Sequence, residues 1–254
     1  MYIIAVASLK GGVGKTTHST NLSVHLSMKG KRVLAVDLDL NNNLTDFFLR
    51  SLDRNYLEER NVLSVILGEK EIEDCVHKTG FSGLEVLPAT ISLGAKTKNL
   101  ETDFLLSTLG SSLKRLDYDY IVLDTPGHLS VELQFAVTIS DLILSPVCPK
   151  RWVFQGMKDL KDVEEGFEKE SLRIVAVPSM VGKGKQEEER LFNLKKKYPV
   201  TRTSIGKLRA IEKASEEGKA LKVGSKGYLW FESLADEILQ IQKRSVTSKQ
   251  RMFV

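Results

Sequence analysis

Apolar residues recur along this chain with two alternating periods. Tyr2 to Ala7 is a short apolar run ending in a glycine-rich turn, and Thr16 to Met28 carries apolar and small residues at helical spacing. Gly30 is placed to cap that helix, and Arg32 to Val36 is a second run of strand length entering the acidic turn Asp37-Leu38-Asp39. Further on, Leu84 to Leu87, Tyr120 to Leu123, Leu142 to Ser145 and Leu172 to Val177 read as buried strands. Helical patterns separate them around 101–116, 131–139, 153–168 and 186–197, and the last two helices are predicted over 208–217 and 229–242. Such alternation predicts one α/β domain over 1–242, a three-layer fold with a mostly parallel twisted sheet and helices on both faces. Residues 243–254 carry no periodic apolar pattern and are expected to be a basic, fraying tail. No repeat or proline-rich linker marks a further boundary.

Composition changes this picture little and charge changes it more. With 254 residues, of which 42% are hydrophobic, the chain can bury one sizeable core. No stretch approaches the ~18 apolar residues of a membrane span, and the first residues already alternate like a strand instead of forming a targeting segment. Cys75 and Cys148 belong to no C-x-x-C pair, which fits a reducing cytoplasm and two buried thiols. The net charge is +4, but from Lys195 onward fourteen lysines and arginines face six acids, so the rest of the chain is net acidic. That asymmetry asks for a polyanionic partner, although a solvated lysine-rich face would look the same.

Gly11-Gly12-Val13-Gly14-Lys15-Thr16 follows a strand and opens a helix, the place where backbone N–H groups can wrap a phosphate and the helix N-terminus adds its dipole. Lys15 would reach the β- and γ-phosphates, the Thr16 hydroxyl would ligate Mg²⁺, and Thr17 completes the loop. A glycine-rich turn without phosphate chemistry does not account for the G-K-T ending. The usual spacing is G-x-x-x-x-G-K-[ST], and Ser8 to Lys15 does not begin with glycine; Lys10 stands inside the loop instead. Asp37 and Asp39 lie at the carboxyl end of the second strand, the side of an open α/β sheet where ligands bind, or they simply cap the next helix. Tyr120-Ile121-Val122-Leu123 delivers Asp124 at another strand end, the arrangement that holds a Mg²⁺-bound water. Thr125-Pro126-Gly127 follows as a turn whose backbone can sense the γ-phosphate, and His128 reads as a polar loop residue.

The loop with Lys10 resembles the deviant Walker A motif of the ParA/MinD ATPases, and Tyr120 to Asp124 resembles their Walker B strand. Likeness extends to Ser140-Asp141-Leu142-Ile143-Leu144-Ser145-Pro146-Val147 and, more loosely, to Ile205 through Leu221. The resemblance implies that Lys10 reaches the phosphates bound by a second subunit, so that ATP joins a face-to-face homodimer. It implies Asp39 as the residue that orients or deprotonates the attacking water, and Asp37 as support for the Mg²⁺ shell with Thr16 and Asp124. Leu40-Asn41 stand where the family usually has Pro-Gln, while Asn43, Leu44 and Thr45 continue its pattern. Pro126 joins the cofactor-binding set on the same ground, and Gly206 and Leu208 fall where relatives contact adenine. Lys207 matches a DNA-contacting position, and Arg209, Lys213, Arg202, Lys195, Lys196 and Lys197 would extend that surface, each phosphate contact adding about one counterion to the salt dependence. The implied function is a prokaryotic, cytoplasmic and nucleoid-associated partition ATPase, using ATP and Mg²⁺. It would bind nonspecific double-stranded DNA as the ATP dimer and be released when a ParB-type centromere-binding partner stimulates hydrolysis. It is expected to be the short form without an amino-terminal helix-turn-helix domain, and slow without its partner. The alternative is a MinD-like membrane-cycling ATPase; the basic end at 243–254 shows no sustained apolar face, so no stable membrane anchor is expected.

Overall fold

A computed structural model of the chain describes residues 1–150, 153–165 and 173–251. The strands are β1 (Tyr2–Val6), β2 (Val33–Asp37), β3 (His77–Lys78), β4 (Leu84–Leu87), β5 (Tyr120–Asp124), β6 (Leu142–Val147), β7 (Arg173–Val181) and β8 (Ile205–Gly206). They lie in the order β3-β4-β2-β5-β1-β6-β7-β8, and every pairing is parallel except β3 against β4. The mostly parallel sheet that the apolar pattern predicts is therefore present.

Side chains alternate across this sheet, so each strand feeds two cores. Ile3, Ala5, Leu34, Val36, Ile121 and Leu123 pack with Leu133 and Phe135 of the helix Val131–Ile139 and with Val62 and Ile66 of the helix Val62–Ile66. Tyr2, Ile4, Val6, Val33, Ala35 and Val122 point the other way, onto Leu22 and Leu26 of the first helix, Lys15–Met28, and Phe231, Leu234 and Ile238 of the last, Lys226–Arg251. Burial on both faces is why these strands read as near-continuous apolar runs.

Several elements differ from the pattern-based expectation. Short helices at Asn43–Leu49, Arg54–Glu59, Val62–Ile66, Ile72–Cys75 and Ser92–Thr97 occupy a stretch where the sequence predicts none. Each is too short to show a helical period, and side-chain caps start two of them: Asp53 accepts from the Tyr56 N–H, while Asn61 accepts from Leu63 and Ser64 and donates to the carbonyls of Leu57 and Glu58. The helix expected over 101–116 is Thr102–Leu105 and Ser111–Arg115 joined by a π turn at Leu106–Gly110. The helix Val153–Glu165 matches the start of the prediction at 153, and residues 166–168 and Leu172 of the predicted elements lie outside the described residues. The last helix continues to Arg251, past the expected end at 242, and residues 252–254 lie outside the described residues.

Register places the chemistry. Val6 of β1 and Asp37 of β2 both pair with Asp124 of β5, so two acidic strand ends stand side by side at one level of the sheet. From β1 the chain passes over β5 to β2, and from β5 it crosses back past β1 to β6. That reversal opens a crevice at the carboxyl ends of the strands, where the loop after β1 lies.

Candidate nucleotide site

The loop after β1 turns into the first helix at Gly14, whose φ of 90° lies in the left-handed region that glycine enters at no steric cost. The Gly14 carbonyl accepts two bonds, from the His18 N–H at 2.9 Å and from His18 Nδ1 at 2.8 Å. His18 therefore carries its proton on Nδ1, and burial pushes its pKa down to about 4, so it stays neutral beneath the loop. On the β7 side, Ser179 Oγ donates to the Val13 carbonyl at 2.9 Å, and Met180 beside it has φ of 53°. A non-glycine residue in that region costs about 1–2 kcal/mol, and it is spent where the end of β7 clamps the loop.

Lys15, the first residue of the helix, is buried. Burial pushes its pKa down while the carboxylates of Asp124 and Asp39 raise it again. Thr16 Oγ1 donates to Asp124 Oδ2 at 2.7 Å, and Ser19 Oγ donates to Asp124 Oδ1 at 2.7 Å. Asp124 is fully buried, and desolvation together with the neighbouring Asp37 pushes its carboxyl above the ordinary range; the hydroxyls and Lys15 pull it back. Asp37 is raised by burial in the same way. Its Oδ1 accepts the Asp39 N–H, and its Oδ2 accepts both the N–H and the hydroxyl of Thr45, so this carboxylate braces the acidic loop. Thr45 Oγ1 in turn accepts the Ala89 N–H at 2.9 Å, tying the loop to the end of β4. Asp39 Oδ1 accepts from the backbone and side-chain nitrogens of Asn41. Leu40, where the family usually has proline, lies on Gly94, at which a Cβ would come within 2.5 Å of Leu40 Cδ2. The departure from Pro-Gln thus has its own packing partner.

The chemistry of this donor set fits a Mg²⁺-nucleotide. Among the described residues no three His, Cys, Asp or Glu side chains converge. Mg²⁺ beside a triphosphate needs none, because it keeps several waters and takes one or two protein oxygens plus phosphate oxygens. The Thr16 hydroxyl and the Asp124 carboxylate, 2.7 Å apart at a helix N-terminus, are the oxygens that would supply those.

Other expected site residues fall on different walls. Thr17, Gly206 and Leu208 line one small cavity of about 80 Å³ with Gly14, His18 and Ile211, on the side of the loop expected for the base. Gly206 also meets a packing need, since a Cβ there would lie 2.7 Å from the Trp230 ring. Lys10, Gly11, Gly12 and Val13 border a second cavity of about 290 Å³ with Pro146, Cys148 and Met180. Pro126 is buried and lines a third, of about 340 Å³, with Leu38, Leu40 and Leu129. In its turn it is Gly127 that approaches the loop, its Cβ position lying 3.0 Å from Lys15 Nζ. His128 is exposed. The expected DNA residues are all exposed and form two groups along the β7–β8 edge. Lys207 follows β8, whose Gly206 pairs with Val181, whereas Val200 bridges Ala176. Lys195, Lys196 and Lys197 end the helix Lys185–Lys197, whereas Arg209 and Lys213 lie on the helix Arg209–Glu217. Residue patterns could not have pointed to Ser19, Ser179 or Met180, because each acts through a contact distant in sequence or a backbone angle.

Strand order, the loop around Lys15 and the paired acidic strand ends define a P-loop nucleotide-binding protein with an additional early lysine. Residues 1–174 match the model of the AAA domain family, and the chain belongs to that family, in its ParA/MinD group. The sporulation initiation inhibitor protein Soj of Bacillus subtilis is 35% identical over 161 residues, which cover 62% of this chain and 62% of Soj. The chain spans 61–62% of the length of such curated relatives. Among solved structures, a plasmid partition protein of Borrelia burgdorferi bound to AMPPNP superposes with a TM-score of 0.82 at 21% identity, covering 94% of this chain and 98% of the other. The cell division ATPase MinD of Pyrococcus furiosus gives a TM-score of 0.73 at 28% identity, with 94% and 99% covered.

Proposed function

We propose that this chain is a ParA-type partition ATPase that closes into a face-to-face homodimer on ATP and binds nonspecific double-stranded DNA in that state. A ParB-type centromere-binding partner then stimulates hydrolysis and release. The observation that carries this reading is the division of labour between two lysines of one loop. Lys15 is buried against Asp124 and Asp39, whereas the Lys10 side chain is 43% exposed and its Nζ lies on the opposite wall, 3.4 Å from Asp159. A lysine so placed serves a triphosphate other than its own, much as an arginine finger does.

The residues divide the work as follows. Loop N–H groups and Lys15 bind and neutralise the phosphates. Thr16 and Asp124 would hold Mg²⁺, which would offset the negative charge of the phosphates. Asp39 aims a water at the γ-phosphorus and takes its proton; the new P–O bond forms as the bond to the bridging oxygen breaks, giving ADP and phosphate. The partner subunit's Lys10 stabilises charge on the bridging and γ-oxygens, so cleavage removes the link between subunits.

Lys10→Ala is expected to keep nucleotide binding and to abolish ATP-dependent dimerisation in light scattering. A variant that dimerises like the wild type would rule the reading out. The likeness to MinD keeps a membrane-cycling role as the second reading. No helix among the described residues is long and apolar enough to cross a membrane, and ATP-dependent co-sedimentation with anionic vesicles, set beside a DNA gel shift, separates the two.

A further inference from the structure

Lys10 is docked on its own subunit. Its Nζ lies 3.4 Å from Asp159 Oδ2, and its stem crosses Gly156, where a Cβ would stand 3.2 Å from Lys10 Cγ and 3.7 Å from Lys10 Cε. Gly156 and Asp159 are three residues apart on the helix Val153–Glu165 and so share a face. Gln155 Nε2 donates to the other Asp159 oxygen, Oδ1, which leaves Oδ2 turned to the lysine. Glycine inside a helix is destabilising relative to alanine, and here it falls where the lysine stem passes.

We propose that Gly156 and Asp159 are positioning residues that hold Lys10 in cis in the free protomer, in competition with delivery of that lysine to a second subunit's triphosphate. The proposal rests on the reading that Lys10 acts in trans. A triphosphate offers more negative charge and more acceptor oxygens than one carboxylate, so the lysine transfers when ATP presents them across the interface. ADP, with its shorter phosphate chain, leaves it on Asp159. The docked lysine thereby raises the protein concentration at which ATP dimers form. The pair is partly exposed, 43% at Lys10 and 28% at Asp159, so its effect is limited to a factor of up to about five.

The test measures ATP-dependent dimerisation against protein concentration by analytical ultracentrifugation, with binding of a fluorescent ADP to the monomer as the control. Asp159→Asn is expected to lower the dimerisation midpoint by about two- to fivefold while ADP affinity stays at the wild-type value, and Asp159→Glu to return it toward wild type. Gly156→Ala, whose added carbon crowds the lysine stem, shifts the midpoint in the same direction. Lys10→Ala combined with Asp159→Asn behaves as Lys10→Ala alone. An Asp159→Asn midpoint equal to or higher than wild type overturns the proposal. Normal dimerisation by Lys10→Ala alone would instead overturn the trans-lysine reading, whatever Asp159 does.

Discussion

Asp39→Ala is expected to lower ATP turnover by about 10²- to 10⁴-fold, the range contributed by a positioned general base, while ATP binding and the ATP dimer persist. Asp39 closes the acidic turn after β2, is 9% exposed, and has one oxygen fixed by both nitrogens of Asn41. Its other oxygen is the one available to a water. Removing the carboxylate also removes negative charge close to Lys15, so affinity for the triphosphate should not fall. Phosphate release and light scattering on the same sample check both halves. Turnover at the wild-type level would take the role of base away from Asp39.

Asp124→Asn is expected to cost the Mg²⁺-dependent part of ATP affinity, about 10- to 150-fold for a lost charge-assisted contact of roughly 1.5–3 kcal/mol. Its effect on the apo protein has a different sign. Asp124 and Asp37 are buried side by side, and both carboxyls are held above their ordinary values near 4 by desolvation. A carboxyl whose folded pKa exceeds its unfolded value keeps a proton that the unfolded chain releases. Stability is then greatest at the acid end and falls as pH rises from about 4 through the folded values. Without Mg²⁺ and nucleotide, the wild type should lose urea resistance across that window. Asp124→Asn should flatten the slope, since one of the two buried charges is gone. Urea midpoints measured with a chelator from pH 5 to pH 8 read this directly, and an unchanged slope would contradict it. Mg²⁺-ATP should restore wild-type stability at the alkaline end and restore the variant far less.

The phosphate loop, both acidic strand ends and the sheet were legible in the sequence because each is a local pattern. Lys15 and Thr16 follow a glycine-rich turn, and Asp37 and Asp124 each end a run of buried strand residues. Between Asn43 and Thr97 only the strand Leu84–Leu87 was legible: the helices there span four to seven residues, too short to show a periodic face. The two-residue strands β3 and β8 are likewise below the length at which alternation can be seen. In the site, Ser19 and Ser179 were invisible because nothing in a serine's neighbours announces a bond to Asp124 or to the Val13 carbonyl. The bracing role of Asp37 emerges only once Thr45 is folded back onto it. Lys10 stood out as an irregularity of spacing, yet its docking on Gly156 and Asp159 depends on a helix more than 140 residues away along the chain.

The basic residues of the carboxyl-terminal third divide into an upper group around Lys207 and a lower group at Lys195–Lys197 and Arg202 on one edge of the sheet. DNA binding measured with ATP, with ADP and without nucleotide across a salt series tests the partition reading most directly. Binding is expected only with ATP, with affinity falling steeply as salt rises and Lys10→Ala binding in none of the three states. Equal binding in all three nucleotide states would contradict it.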